Sequence, residues 1–111
     1  MEIGSQFLER RHDRRFPVHG SAEFQARESQ ATGELLVVSN GGLLIRSVCC
    51  PALYAEIAVR FSVNDYRERL SGIGKVMRKQ PGLFAIVFVK QPNRIRELLD
   101  WLQAQETSAK H

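Results

Sequence analysis

The chain alternates apolar and polar positions at two different periods. Val18, Gly20, Ala22 and Phe24 alternate with His19, Ser21, Glu23 and Gln25. Ile57, Val59, Phe61 and Val63 alternate in the same way with Ala58, Arg60, Ser62 and Asn64. Successive side chains of a strand point to opposite faces, so this pattern predicts strands with one buried face. Residues 35–38 and 43–45 are short apolar runs joined by Ser39, Asn40, Gly41 and Gly42. That arrangement predicts a hairpin, with Asn and Gly supplying the positive φ angles such turns use. Residues 26–33 are polar, end in Thr32 and Gly33, and read as a loop. Pro51 breaks the chain, and Asn64-Asp65 and Pro81-Gly82 are turns. Residues 67–78 read as a strand in which Gly72 and Gly74 mark a bulge or bend, and residues 84–89 as a strand apolar on both faces.

Near the C-terminus the period changes. Ile95, Leu98, Leu99 and Leu102 recur at helical spacing, with Trp101 beside the stripe and Asn93, after Pro92, as the expected N-cap. Short strands followed by one helix predict a mostly β domain, either an antiparallel barrel or a sandwich. The helix would lay its apolar stripe across an open end or side. The expected organisation is a flexible basic arm over residues 1–15, the β domain with its helix over 16–106, and a frayed tail over 107–111.

Composition narrows the classes. A chain of 111 residues fits one domain. No apolar stretch approaches the roughly 18 residues of a membrane span, and residues 1–15 carry no secretory h-region, so no membrane span and a cytoplasmic location are expected. The adjacent Cys49 and Cys50 read as reduced thiols, because His12, His19 and His111 offer no zinc spacing. Catalysis is not expected. Ser39 lacks the glycine two positions earlier that a nucleophile elbow needs, and there is no metal-ligand cluster, phosphate-cradling loop or dinucleotide fingerprint. No cofactor is expected.

Charge adds a candidate site. The net charge is +4, and Arg10, Arg11, Arg14 and Arg15 fall within six residues. Such a cluster suits a phosphate-bearing partner or an acidic surface. Single-stranded nucleic acid would need aromatics interleaved with basic residues on an exposed face. Phe61, Phe84 and Phe88 sit in apolar patterns and read as core, so nucleic acid is not the expected partner.

Two segments carry a resemblance to a known family. Glu9-Arg10-Arg11-His12-Asp13-Arg14-Arg15-Phe16-Pro17-Val18 resembles the Arg-x-x-x-Arg motif that opens PilZ domains. Val37-Val38-Ser39-Asn40-Gly41-Gly42 is similar to the family's Asp/Asn-x-Ser-x-x-Gly motif, again followed by an apolar strand. The resemblance spans about residues 9–105. It implies a six-stranded antiparallel PilZ-type β-barrel with a C-terminal α-helix. It further implies a non-catalytic signalling module that binds the second messenger cyclic di-GMP and passes the signal to an unidentified protein effector. Outputs of the family include motility and biofilm control.

The ligand-binding residues implied are Arg11, Arg15, Ser39 and Gly42, with Arg10 and Arg14 as accessories. Arg10 with Arg14 also satisfies the spacing, but Arg15 directly precedes the hydrophobic start of the strand, as the second arginine does in the family. Arginine suits this ligand, because its planar fork can grip a phosphate, pair with O6 and N7 of guanine, or stack on the base. The sequence departs from the family at Val37, where Asp or Asn would accept from guanine N–H groups. An unmatched donor costs about 1–3 kcal/mol, so binding that is weak for the family, or absent, is expected. Ala85 stands where many members have Gly. The alternative implied is a degenerate PilZ-like adaptor that acts through protein contacts without binding the nucleotide.

Overall fold

The structure is a computed structural model and describes residues 14–26 and 29–109. Its strands are β1 (Phe16–Ala26), β2 (Ser29–Val38), β3 (Gly42–Arg46), β4 (Glu56–Val63), β5 (Leu70–Gln80) and β6 (Leu83–Lys90), followed by helix α1 (Ile95–Ala109). They close into a barrel in the order β1-β2-β3-β6-β5-β4, with β4 pairing back onto β1. Every neighbouring pair is antiparallel. The barrel, rather than the sandwich, is therefore the architecture, and closure removes the exposed strand edges that would invite aggregation.

The inner face is built from the alternating apolar residues. Phe24, Phe61 and Phe84 are essentially fully buried, and Phe24 meets Phe84 edge-on with centroids 5.0 Å apart. Phe88 packs against the same core and stacks on Phe61 at 6.3 Å. Burying a residue of this size stabilises the fold by about 1.5–3 kcal/mol.

Helix α1 covers one end of the barrel, where β1 starts, the β2–β3 turn lies and the β4–β5 loop crosses. Its buried residues Ile95, Leu98 and Leu102 join the barrel core. Trp101 lies 5.1 Å from the ring of Tyr66 in the β4–β5 loop. No described helix is long and apolar enough to cross a membrane.

Five local readings are corrected. Residues 29–33 are strand, not loop. Ala31 pairs with Phe24 and Thr32 with Glu23, so the β1–β2 ladder continues through polar residues. Their side chains are exposed or half-buried, which leaves no hydrophobic signal for a strand. Residues 67–69 precede β5 and lie outside it. The turn between β2 and β3 is made without a positive φ. The left-handed glycine among the described residues is Gly82, at φ 78°, in the β5–β6 turn.

The residue that delivers the chain into α1 is Arg94, not Asn93. Arg94 adopts φ 68°, its carbonyl accepts from the Leu98 N–H at 3.4 Å, and its guanidinium holds Glu97 at 2.7 Å and also pairs with Glu68. A carboxylate clip thus supports a backbone angle that a non-glycine residue adopts at a cost. Helix α1 also continues through Ala109, past the boundary at 106 expected from the sequence.

Candidate functional site

Two strand irregularities shape one stretch of the outer barrel surface. In β2, Leu35 pairs with Ile45 but Val37 pairs with Leu44, so Leu36 is an extra residue. In β5, Val76 pairs with Ile86 but Arg78 pairs with Ala85, so Met77 is an extra residue. A bulge shifts the side-chain alternation by one. Val37 is consequently half-buried on the outside, while Val38 beside it is fully buried in the core. The registers then align Pro17, Val37, Leu44, Ala85 and Arg78 abreast across β1, β2, β3, β6 and β5.

This row crosses a cleft of about 390 Å³ lined by Arg15, Val37, Ser39, Gly41, Gly42, Leu43, Leu44, Met77, Arg78, Ala85, Ile86 and Val87. Its floor is apolar. Arg15 and Arg78 are its charged lining residues, and no carboxylate is among the described residues that line it. A larger hollow of about 470 Å³ lies elsewhere, around Arg69, Lys90 and the Glu68–Arg94 clip, and shares no residue with the cleft. The shifted titrations belong to that region. The Tyr66 phenol is raised, first by burial and then by Glu68 and Glu97, and Arg94 is raised by its hydrogen bond to Glu97.

Of the residues singled out in the sequence, Arg15, Ser39 and Gly42 meet in the cleft, and so do the departures Val37 and Ala85. Arg10 and Arg11 lie outside the described residues. Arg14 does not line the cleft. It sits with its guanidinium carbon 4.9 Å from the Phe16 ring centroid, donates to Gln103 at 2.8 Å and pairs with Glu106, both on α1.

Ser39 and Gly42 have structural tasks within the site. The Ser39 hydroxyl is buried, accepts from the N–H groups of Gly41 and Gly42 at 3.2 and 3.1 Å, and lies 3.3 Å from the Gly42 carbonyl. It therefore fixes the turn that forms one wall of the cleft. At Gly42 a Cβ would stand 2.0 Å from the Ile86 carbonyl oxygen. Glycine is required there by the approach of β6, not by the backbone angle.

Met77, Arg78 and Val87 are site residues that the sequence reading does not single out. Met77 and Val87 remain 42% and 52% exposed on a sheet surface, and an apolar residue on an outward strand position is the signal that could have found them. Arg78 carries no legible signal, because the bulge that turns it outward arises from β5–β6 pairing.

Comparison with solved structures finds this fold in known proteins. The Bacillus subtilis inhibitor of motility (MotI/DgrA) matches with a TM-score of 0.74 at 12% identity over 92% of this chain and 54% of that one, so the chain spans about half its length. An uncharacterized Legionella protein matches with a TM-score of 0.57 at 14% identity, covering 88% of this chain and 99% of that one. The PilZ domain of CeSA from a cellulose-synthesizing bacterium matches with a TM-score of 0.57 at 17% identity, with the same coverage of 88% and 99%. At such identities the likeness is one of fold. No curated protein sequence matches the chain. The sequence pattern of the PilZ domain matches residues 9–104, which includes both motifs, every strand and most of α1, and the chain belongs to the PilZ domain family.

Proposed function

We propose that this domain binds cyclic di-GMP in the outer cleft and passes the signal to a protein partner, without catalysing a reaction. The observation that carries the reading is the convergence of Arg15 with the Val37–Gly42 segment on one concave surface. In this reading Arg15, joined by Arg11 from the arm, grips phosphate or a guanine edge with charge-assisted hydrogen bonds. The apolar floor takes the base faces. The Ser39 turn and Gly42 shape the wall, with Arg10 and Arg14 as accessories. A ligand seated in the cleft alters the surface offered to an effector.

Val37 supports a second reading, an adaptor that works by protein contacts alone. Val37 accepts no hydrogen bond, and Met77, Val87 and Val89 present apolar surface on β5 and β6, at 42%, 52% and 57% exposure. A nucleic-acid reading has less support, since Phe61 and Phe84 are core residues. Thermal melting with cyclic di-GMP and with single-stranded DNA separates the three. Nucleotide binding predicts a rise in melting temperature with cyclic di-GMP only. No rise with either supports the adaptor, and a rise with DNA overturns both.

A further inference from the structure

We infer that Arg78 is a ligand-gripping residue of the cleft, opposing Arg15 across the apolar floor; the inference rests on the nucleotide-binding reading above. Three observations lead to it.

The first is the β5 bulge. In an unbroken ladder, Met77 would oppose Ala85, and Arg78 would oppose the buried Phe84 and point inward. The extra residue places Arg78 opposite Ala85 on the outer face instead. Re-aiming a side chain at a functional surface is a recurrent use of bulges.

The second is charge pairing. Arg14, Arg46, Arg60 and Arg94 each have a carboxylate partner. Arg15, Arg67, Arg69, Arg78 and Arg96 have none among the described residues, and of these Arg15 and Arg78 line the cleft. Their guanidiniums are available to an anion without first breaking a protein ion pair.

The third is span. Arg15 precedes β1, whose Pro17 pairs with Val37 of β2, and Val37 and Arg78 are separated by three strand-to-strand steps, from β2 through β3 and β6 to β5. At about 4.8 Å per step this is roughly 14 Å along the curved sheet. Cations at both sides of such a floor suit a ligand with two separated anionic or hydrogen-bond-accepting edges, such as a cyclic dinucleotide. A compact monophosphate would reach one side only. Arg78 also changes what the site reads. Asp or Asn at Val37 would accept from guanine N–H groups, whereas Arg78 only donates and therefore favours phosphate oxygens or guanine O6 and N7.

The test is a titration of cyclic di-GMP into the parent chain, Arg78→Gln, Arg78→Lys, Arg15→Gln and Lys75→Gln. Lys75 carries the same charge on the same strand but does not line the cleft. Melting temperature without ligand is recorded for each variant. Arg78→Gln is expected to melt with the parent and to bind at least about tenfold more weakly. Arg78→Lys should fall between them, because lysine keeps the charge but not the fork. Lys75→Gln should stay within about twofold of the parent, since only a screened, distant charge is lost. Parent-like affinity in Arg78→Gln beside a loss in Arg15→Gln overturns the role of Arg78 and leaves the nucleotide reading intact. Equal losses in Arg78→Gln and Lys75→Gln also overturn it, because they reduce the effect to overall charge. Failure of the parent to bind overturns both.

Discussion

Arg14 is ion-paired to Glu106, a residue 92 positions further along the chain. The pair ties the start of β1 to α1 at the covered end of the barrel. Arg14 and Arg15 adjoin in sequence but face different surfaces, one the helix and the other the cleft. Of these two adjacent arginines, Arg15 is the one that lines the cleft.

A division of labour between these arginines follows. Arg15→Ala should weaken cyclic di-GMP binding by about 1.5–3 kcal/mol through lost charge-assisted hydrogen bonds. Arg14→Ala should change affinity by less than about 1 kcal/mol, since its pair with Glu106 is exposed and such pairs contribute little. Parallel titrations check this. A larger loss in Arg14→Ala would place the working register at Arg10 and Arg14.

Val37→Asp should restore an acceptor. The position faces outward, so the carboxylate stays partly solvated. The melting temperature without ligand should move by only a few degrees, whereas a buried, unpartnered carboxylate would cost several kcal/mol. Affinity for cyclic di-GMP should rise about tenfold, equivalent to about 1.4 kcal/mol. A folded variant with no gain would shift preference to the adaptor reading.

Gly42→Ala should damage the fold before it damages recognition. The added methyl would meet the Ile86 carbonyl oxygen at 2.0 Å, which forces β3 and β6 apart. Overpacking of this kind costs about 1–3 kcal/mol. Urea denaturation should report that loss in the absence of any nucleotide. Unchanged stability would show that the strands separate freely there.

The base chemistry can be probed from the ligand side. Among the described residues, the cleft lining offers no carboxylate to the guanine 2-amino group. Cyclic di-IMP, which lacks that group, should therefore bind the parent at least as well as cyclic di-GMP, and bind Val37→Asp more weakly than cyclic di-GMP, by about 1 kcal/mol. Strong preference of the parent for cyclic di-GMP would mean that another acceptor reads the base.

Much of this architecture is legible in the sequence because it is driven by side-chain period. The alternation Ile57, Val59, Phe61 and Val63 in β4 and the stripe Ile95, Leu98 and Leu102 in α1 each name a buried face. The Ser39–Gly42 turn is legible as a turn, but its mechanism is not. The sequence points to left-handed glycines, whereas the Ser39 hydroxyl and the close approach of Ile86 are what shape it. The bulges at Leu36 and Met77 are illegible, because each is decided by the partner strand and not by its own residues. That is why the outward aim of Val37 rests, in the sequence, on the motif alone, and why Arg78 does not stand out there. Residues 29–33 are hidden for a related reason, since exposed polar side chains mask a backbone ladder.

Isothermal titration of cyclic di-GMP into the parent chain and into Arg15→Ala decides whether the cleft is a nucleotide site held by Arg15. Saturable binding by the parent in the micromolar range, about −8 kcal/mol or weaker, is expected, with a loss of at least about tenfold in Arg15→Ala. No saturable heat from the parent at roughly millimolar nucleotide, near −4 kcal/mol, would contradict it, and so would parent-like affinity in Arg15→Ala.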